Sequence, residues 1–256
     1  MTTPSVTVDE QYDQHLGPLY SWMIGDWDAA LQRQRDFFRK RVIQPGATAR
    51  ALDLGAGPGL QSLALAELGF SVPAVDNCQV LLDELNARAR GSNFNKVNTT
   101  AADLREFRAH YAGQADVIVC MGDTLTHLPS LDAVVRLIRD AAATLAPGGT
   151  LVLTFRDYVS RELHGAERFI HVRNDDRRIL TCFLEFEPLF VRVHDLVHEH
   201  TDGQWRFTSS CYLKLRLARE WVTNQVREAG LRMVQDTLEN GSVCIVARQP
   251  RKGSLR

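Results

Sequence analysis

Three glycines alternate with other residues in Gly55-Ala56-Gly57-Pro58-Gly59, directly after the apolar run Ala51-Leu52-Asp53-Leu54 and directly before a helical pattern. Backbone without Cβ atoms turns tightly and lets a ligand approach closely, and a strand-to-helix junction of this kind suits a nucleotide-like ligand. The dinucleotide fingerprint would put its third glycine at position 60, which is Leu60. A nucleoside without a pyrophosphate fits the spacing better. Asp76 closes the next apolar run, where a carboxylate can accept hydrogen bonds from both ribose hydroxyls. The same acid would serve a nicotinamide dinucleotide, so these two features leave the nucleotide open.

Other residues suggest what such a ligand would meet. Arg156, just beyond a later strand, can pair bidentately with a carboxylate, or form a structural ion pair with its acidic neighbours. His127 suits a general base, a ligand contact or a helix cap. Tyr12, Tyr20 and Trp22 can offer ring faces to a cation, or can form the apolar face of a capping helix. His194, His198 and His200 share one face of an alternating run, and three imidazoles can hold zinc. Positions four apart on a strand are about 13 Å apart, however, so only His198 and His200 can chelate together without a bend. A solvated face is the default, and no metal is expected.

Positioning these residues requires alternating strands and helices from about residue 50, the pattern of βαβ units on a parallel sheet. Strands are expected at Ala51 to Leu54, Ser71 to Val75, Val97 to Thr100, Asp116 to Met121 and Thr150 to Phe155. Pro73 conflicts with its strand, because proline cannot donate to a ladder. Ser130 can cap a helix carrying Leu131, Val134, Val135, Ile138, Ala142 and Leu145. Beyond residue 170 the period changes to alternation. Leu180 to Phe186, Val191 to Val197 and Trp205 to Leu217 read as three antiparallel strands, the last with Trp205, Phe207, Cys211, Leu213, Leu215 and Leu217 on its apolar face. A helix from Arg219 to Ala229 and a last strand from Ser242 to Ala247 follow.

The 256 residues fit one domain, with an N-terminal helical lid over 1–45, a cofactor-binding core over 46–160, inserted strands over 161–217 and core completion over 218–256. The 30 basic and 31 acidic side chains leave a net charge of -1, which gives no basic footprint for a nucleic-acid partner. No apolar run approaches the roughly 18 residues of a membrane helix, and Asp9 and Glu10 do not suit a signal peptide, so a cytoplasmic location is expected. The 5 cysteines are widely spaced and read as buried free thiols.

Asp53 to Gly59 resembles the first motif of the class I S-adenosylmethionine-dependent methyltransferases, Asp76 their ribose-binding acid, and Ala102-Asp103-Leu104 their adenine-contacting segment. Leu145-Ala146-Pro147-Gly148-Gly149-Thr150 is similar to their signature before the fifth strand. These motifs follow the family's order and spacing over residues 50–155. The resemblance implies an α/β, doubly wound Rossmann-like sheet of about seven strands with the last antiparallel. It also implies S-adenosyl-L-methionine as cofactor, contacted by Tyr20, Trp22, Asp53, Gly55, Ala56, Gly57, Asp76, Asn77, Asp103, Leu104, Met121, Gly122 and His127.

Three further segments resemble the glycine and sarcosine N-methyltransferases and related enzymes acting on small amines. Leu19 to Asp26 is similar to their aromatic segment ending in Gly-Asp, Gly122 to Pro129 to their Gly-Asn-Ser-x-x-His-Leu, and Arg156-Asp157-Tyr158 to their Arg-Asn-Tyr. The inserted strands with Tyr212 match that branch too. The resemblance implies methyl transfer to a small amine or amino-acid-like acceptor, with Asp123, Arg156 and Tyr212 around it and Arg156 on its carboxylate. Asp123 departs from the branch's asparagine and points to a more cationic acceptor; Trp27 and Asp28 stand where the branch carries basic residues. Aminopropyl transfer or cyclisation, a non-catalytic cofactor sensor and, least favoured, a nicotinamide reductase remain as alternatives, and a homo-oligomer is open.

Overall fold

The computed structural model describes residues 15–91, 96–239 and 241–251. Helices α1 (Gly17–Ile24) and α2 (Trp27–Lys40) open the described chain, separated by Gly25 at φ +83°. Asp26 caps α2 by accepting the Ala29 N–H at 3.0 Å. The alternating core then runs β1 (Ala51–Leu54), α3 (Leu60–Glu67), β2 (Val72–Asp76), α4 (Gln79–Gly91), β3 (Val97–Ala101) and α5 (Phe107–His110). It continues through β4 (Ala115–Cys120), α6 (Leu131–Thr144) and β5 (Leu145–Phe155). Ser130 caps α6 by accepting the Ala133 N–H at 3.1 Å. Four strands follow, β6 (Phe169–Asn174), β7 (Arg178–Phe186), β8 (Phe190–Thr201) and β9 (Gln204–Leu215). Helix α7 (Arg219–Glu228) leads to β10 (Arg232–Glu239) and β11 (Ser242–Arg248).

The main sheet has 7 strands in the order β10-β11-β5-β4-β1-β2-β3. Strands β1 to β5 pair in parallel, and the last strand, β11, is antiparallel to both β5 and β10. This is the doubly wound sheet expected from the motifs, and the strand order reverses between β1 and β4. Alternate residues of β1 and β4 serve opposite faces. Leu52, Leu54 and Ile118 pack with Val134, Leu137 and Ile138 of α6, while Ala51, Val117 and Val119 pack with Leu63, Leu82 and Phe38. Each fully buried aliphatic side chain here is worth about 1.5–3 kcal/mol of transfer free energy. Both faces are therefore closed by helices and only the strand ends are left for a ligand.

Pro73 sits within β2 without a register shift. The Ser71 and Val75 carbonyls accept from Ala51 and Gly55 on the β1 side, so strand parity turns the missing Pro73 donor to that side as well. Strands β6 and β10 were not anticipated by the sequence pattern. A second sheet of 4 strands, β6-β7-β8-β9, is antiparallel throughout. Its registers put Leu184, Val193 and Tyr212 on one face, where all three are buried together with Val191 and Tyr158. On the opposite parity of β9, Cys211 and Leu215 are buried as expected, while Trp205 and Phe207 are 53% and 57% exposed, so the expected apolar face holds only for the second half of the strand. Among the described residues, no helix is long and apolar enough to cross a membrane.

Candidate active site

The five parallel strands deliver the candidate residues at their carboxyl ends: Gly55 to Gly59 after β1, Asn77 after Asp76 of β2, and Asp103 and Leu104 after β3. Met121 and Gly122 follow β4, and Arg156 follows β5. In an open α/β sheet the crevice beyond these ends, at the reversal of strand order, is where ligands bind.

One half of the crevice is built from backbone. The Val75 carbonyl accepts the N–H groups of Gly55 and Ala56 at 2.8 and 3.1 Å, which pins the loop to β2. The Asp76 carboxylate accepts the Gly57 N–H at 2.8 Å and the Cys78 N–H at 2.9 Å, so its orientation is fixed in advance. Gly55, at φ +78°, admits no side chain, because a Cβ would lie 3.0 Å from Thr124 Cβ and nearer still to its Oγ1 and Cγ2. Gly57 is different. At φ +51° a Cβ would approach nothing closer than Leu81 Cδ1 and Tyr20 Cε1, both at 4.0 Å, so the space before this residue can take a ligand.

Asp53 is buried, and its Oδ2 accepts the Ser62 hydroxyl at 2.6 Å. Burial raises its carboxyl to about 7, with the Ser62 bond opposing. Asp103 accepts the Arg105 N–H at 2.8 Å to cap a short turn and pairs with the Arg105 guanidinium, which holds its carboxyl below the ordinary range. The neighbouring Ala102 N–H donates to the Asp76 carbonyl at 3.0 Å, tying this segment to the end of β2. Leu104 packs against the core and Asn77 is exposed.

The other half centres on Asp123. Its Oδ1 accepts the Arg156 backbone N–H at 2.9 Å; its Oδ2 accepts Arg156 Nη1 at 2.7 Å, Lys214 Nζ at 2.8 Å and the Tyr158 hydroxyl at 3.3 Å. Burial alone would raise the Asp123 carboxyl, but Lys214 and Arg156 beside it hold it well below the usual carboxylate range. Burial likewise opposes the Lys214 charge, and Asp123 overcomes that to raise the ammonium above its ordinary value. Both are ionised at neutral pH. The carboxylate is thus neutralised from within the protein, which removes the reason for expecting a more cationic acceptor from the Asp123 charge. Residues 156 and 158 alternate to one side; Asp157 turns to the other and accepts the Arg219 N–H at 3.0 Å at the start of α7.

Lys214 escaped the sequence reading. It lies two residues beyond Tyr212 on β9 and so shares its face. The available signal was a lysine in phase with Tyr212, and it was obscured because β9 is buried on both faces from Ser210 to Leu215, where a strand with one apolar face was expected. Tyr212 stacks on His127 with ring centroids 5.6 Å apart at 22°. Burial, reinforced by the Lys214 charge, depresses His127 to about 3, so its imidazole is neutral at physiological pH.

Helix α1 lies against both parts of the molecule. The Tyr20 phenol is raised chiefly by burial, and it feels the charges of Lys214, Asp76, Asp123 and Arg156, which puts it within reach of both halves of the crevice. Trp22 instead donates its indole N–H to Asp175 Oδ2 at 2.5 Å, with Arg178 and Arg173 over its ring at 5.3 and 5.7 Å, a latch to the β6–β7 turn. Arg88 donates to Ser21 at 3.0 Å and stacks 3.8 Å from the Trp27 ring, tying α1 and α2 to α4. Tyr12 lies outside the described residues. His194 pairs with Glu185 at 2.6 Å, and His198 and His200 pack on Phe207 and Trp205 on the outer face of the second sheet. Among the described residues no group of 3 or more His, Cys, Asp or Glu could hold a metal ion.

Residues 51–149 match the family described as "Methyltransferase domain". A glycine/sarcosine N-methyltransferase of Halorhodospira halochloris is 32% identical over 142 residues, covering 55% of this chain and 52% of the relative. A ubiquinone biosynthesis O-methyltransferase of Xanthomonas campestris is 36% identical over 119 residues, 46% of this chain and 47% of that protein. The chain spans about half the length of these curated relatives. In fold it is similar to the CcbJ methyltransferase of Streptomyces caelestis, with TM-score 0.76 and 21% identity over 94% of this chain and 99% of that one. CalS10, an amino pentose methyltransferase of Micromonospora echinaspora, gives TM-score 0.71 at 21% identity over 97% and 99% of the two chains. The motif order and the strand topology agree with the match of residues 51–149 to a methyltransferase domain, and the chain as a whole shares the fold of these two solved methyltransferases.

Proposed function

We propose that this chain binds S-adenosylmethionine and catalyses methyl transfer to a small amine or amino-acid-like acceptor bearing a carboxylate. The observation that carries this reading is a backbone-fixed acid, Asp76, and an open-sided Gly57 in the same crevice as the Asp123–Arg156–Lys214 group. The pre-oriented Asp76 carboxylate suits a ribose diol, and the room before Gly57 suits a nucleoside. Asp103, Leu104, Met121 and Gly122 border the same strand ends and are assigned to the cofactor with them.

When bound, the cofactor supplies a methyl carbon activated by a sulfonium. Such a displacement needs alignment and exclusion of water more than proton transfer. Tyr20 and Tyr212 are assigned to closing the crevice, and His127, held neutral, serves as a contact and not as a base. Arg156, whose side chain is 59% exposed, has room to hold an acceptor carboxylate while Nη1 stays on Asp123. One of the relatives supports a small amine acceptor by name, a glycine/sarcosine N-methyltransferase. The Arg156 arrangement favours the carboxylate-bearing amine. A screen of amines, amino acids and their amides for S-adenosylhomocysteine release tests this. Release with a carboxylate-bearing amine is expected; methylthioadenosine as the product would identify aminopropyl-type chemistry instead.

A further inference from the structure

A buried lysine in a ligand crevice calls for a reason. Lys214 is 7% exposed, and its ammonium reaches Asp123 Oδ2 at 2.8 Å from a strand of the inserted sheet. Its Nζ lies 5.8 Å from the centre of the Tyr212 ring, which stacks on His127. Asp123 would already be paired through Arg156, so Lys214 is not needed to neutralise it. With Lys214 present, the hydrogen-bonded group holds two cations and one anion, a surplus of one positive charge. Asp195, the next acid on this face of the inserted sheet, stands opposite Ser210, two positions before Tyr212 on β9, whereas Arg156 Nη1 and Lys214 Nζ both bond to Asp123. Asp195 accepts the Cys182 thiol at 3.0 Å.

We propose that Lys214 is a specificity-determining positioning residue: it pairs with the Asp123 oxygen that Arg156 also holds, and the surplus charge presented through Arg156 makes the pocket select acceptors with one negative charge over neutral or cationic ones. This rests on the reading of the crevice as an acceptor site. Lys214 acts through Asp123 and Arg156, since its own side chain is only 8% exposed. A charge held within about 8 Å in an effective dielectric of about 20 is worth roughly thirtyfold in affinity. Loss of the lysine should therefore be read in KM and not in kcat.

The test compares paired probes, glycine with glycinamide and acetate with acetamide, on wild type, K214M, K214Q and K214R. Binding is measured on protein saturated with S-adenosylhomocysteine, and KM and kcat wherever turnover occurs. Wild type is expected to prefer each carboxylate to its amide by about tenfold or more, K214M and K214Q to lose that preference through KM, and K214R to restore most of it. Unchanged cofactor affinity in the variants reports an intact fold, and the two uncharged variants guard against one failing to fold. The proposal is overturned if wild type shows no preference, or if the uncharged variants weaken carboxylate and amide equally. Failure of the methyltransferase reading has a separate signature, the absence of S-adenosylhomocysteine from every wild-type reaction, whatever the binding ratios.

Discussion

Replacing Asp123 by alanine should destabilise the protein far more than loss of an exposed ion pair would. The carboxylate is 12% exposed and Lys214 8%, so the substitution leaves a buried ammonium without its counter-charge, a defect worth about 3–5 kcal/mol. The Arg156 arm adds at most about 1 kcal/mol, because that guanidinium is 59% exposed and can turn to water. For a chain of this size the total corresponds to a fall in Tm of about 6–24 °C. Urea unfolding at pH 7 measures it directly, and K214M in the Asp123→Ala background should recover about 2–4 kcal/mol, because it removes the stranded charge. The pH dependence has a definite sign. The folded-state pKa of Asp123 is lowered, so its contribution is present above the unfolded value near 3.8 and is lost only as pH falls through the lower folded value. The gap between wild type and Asp123→Ala should therefore persist from pH 8 down to about pH 4. A cost below about 1 kcal/mol, or a double variant as unstable as the sum of its parts, refutes the reasoning.

Three other outcomes are expected. Gly55→Ala forces a Cβ into Thr124 at a positive φ, so it should cost more than the ~1 kcal/mol of strain alone and weaken cofactor binding, as thermal unfolding with and without S-adenosylhomocysteine will show. Asp53→Asn should flatten the fall in stability that wild type shows as pH rises from about 4 to 7. The raised Asp53 pKa means that the folded state holds the extra proton across that window, and chemical unfolding at several pH values reads the slope. His127→Gln should leave the pH–rate profile between pH 5 and 8 unchanged in shape, because an imidazole near pKa 3 does not titrate there; a lost limb in that profile contradicts its assignment as a neutral contact.

The nucleoside half of the crevice was legible because its signals are local. Glycines at alternate positions after a strand and an acid at the next strand end fix their own neighbourhood, and Gly55, Gly57 and Asp76 lie in one bonded unit. Arg156 could be placed at a strand end from sequence, but its bond to Asp123 joins residues 33 positions apart and depends on the β4–β5 register. Lys214 was hidden for a related reason. On β9 the residues Cys211 and Leu215 are buried as their apolar parity suggests, Trp205 and Phe207 of the same parity are exposed, and Ser210, Tyr212 and Lys214 of the other parity are buried as well, a polar series that reads as solvent-facing. Strand β10 has only scattered apolar positions, and β6 pairs with β7 through a register shift, so neither carries a clean alternation. The bond from the Trp22 indole N–H to Asp175 in the β6–β7 turn joins residues 153 positions apart, a contact no linear motif reveals.

The central claim is that Asp76, held by the Gly57 and Cys78 amides, anchors S-adenosylmethionine in this crevice. Calorimetric titration of that cofactor into wild type and Asp76→Ala tests it most directly. Two hydrogen bonds to a carboxylate, at about 1.5–3 kcal/mol each, predict binding by wild type and a loss of about 10² or more in the variant. A wild-type protein that does not bind the cofactor, or a folded variant that binds it with undiminished affinity, contradicts the account.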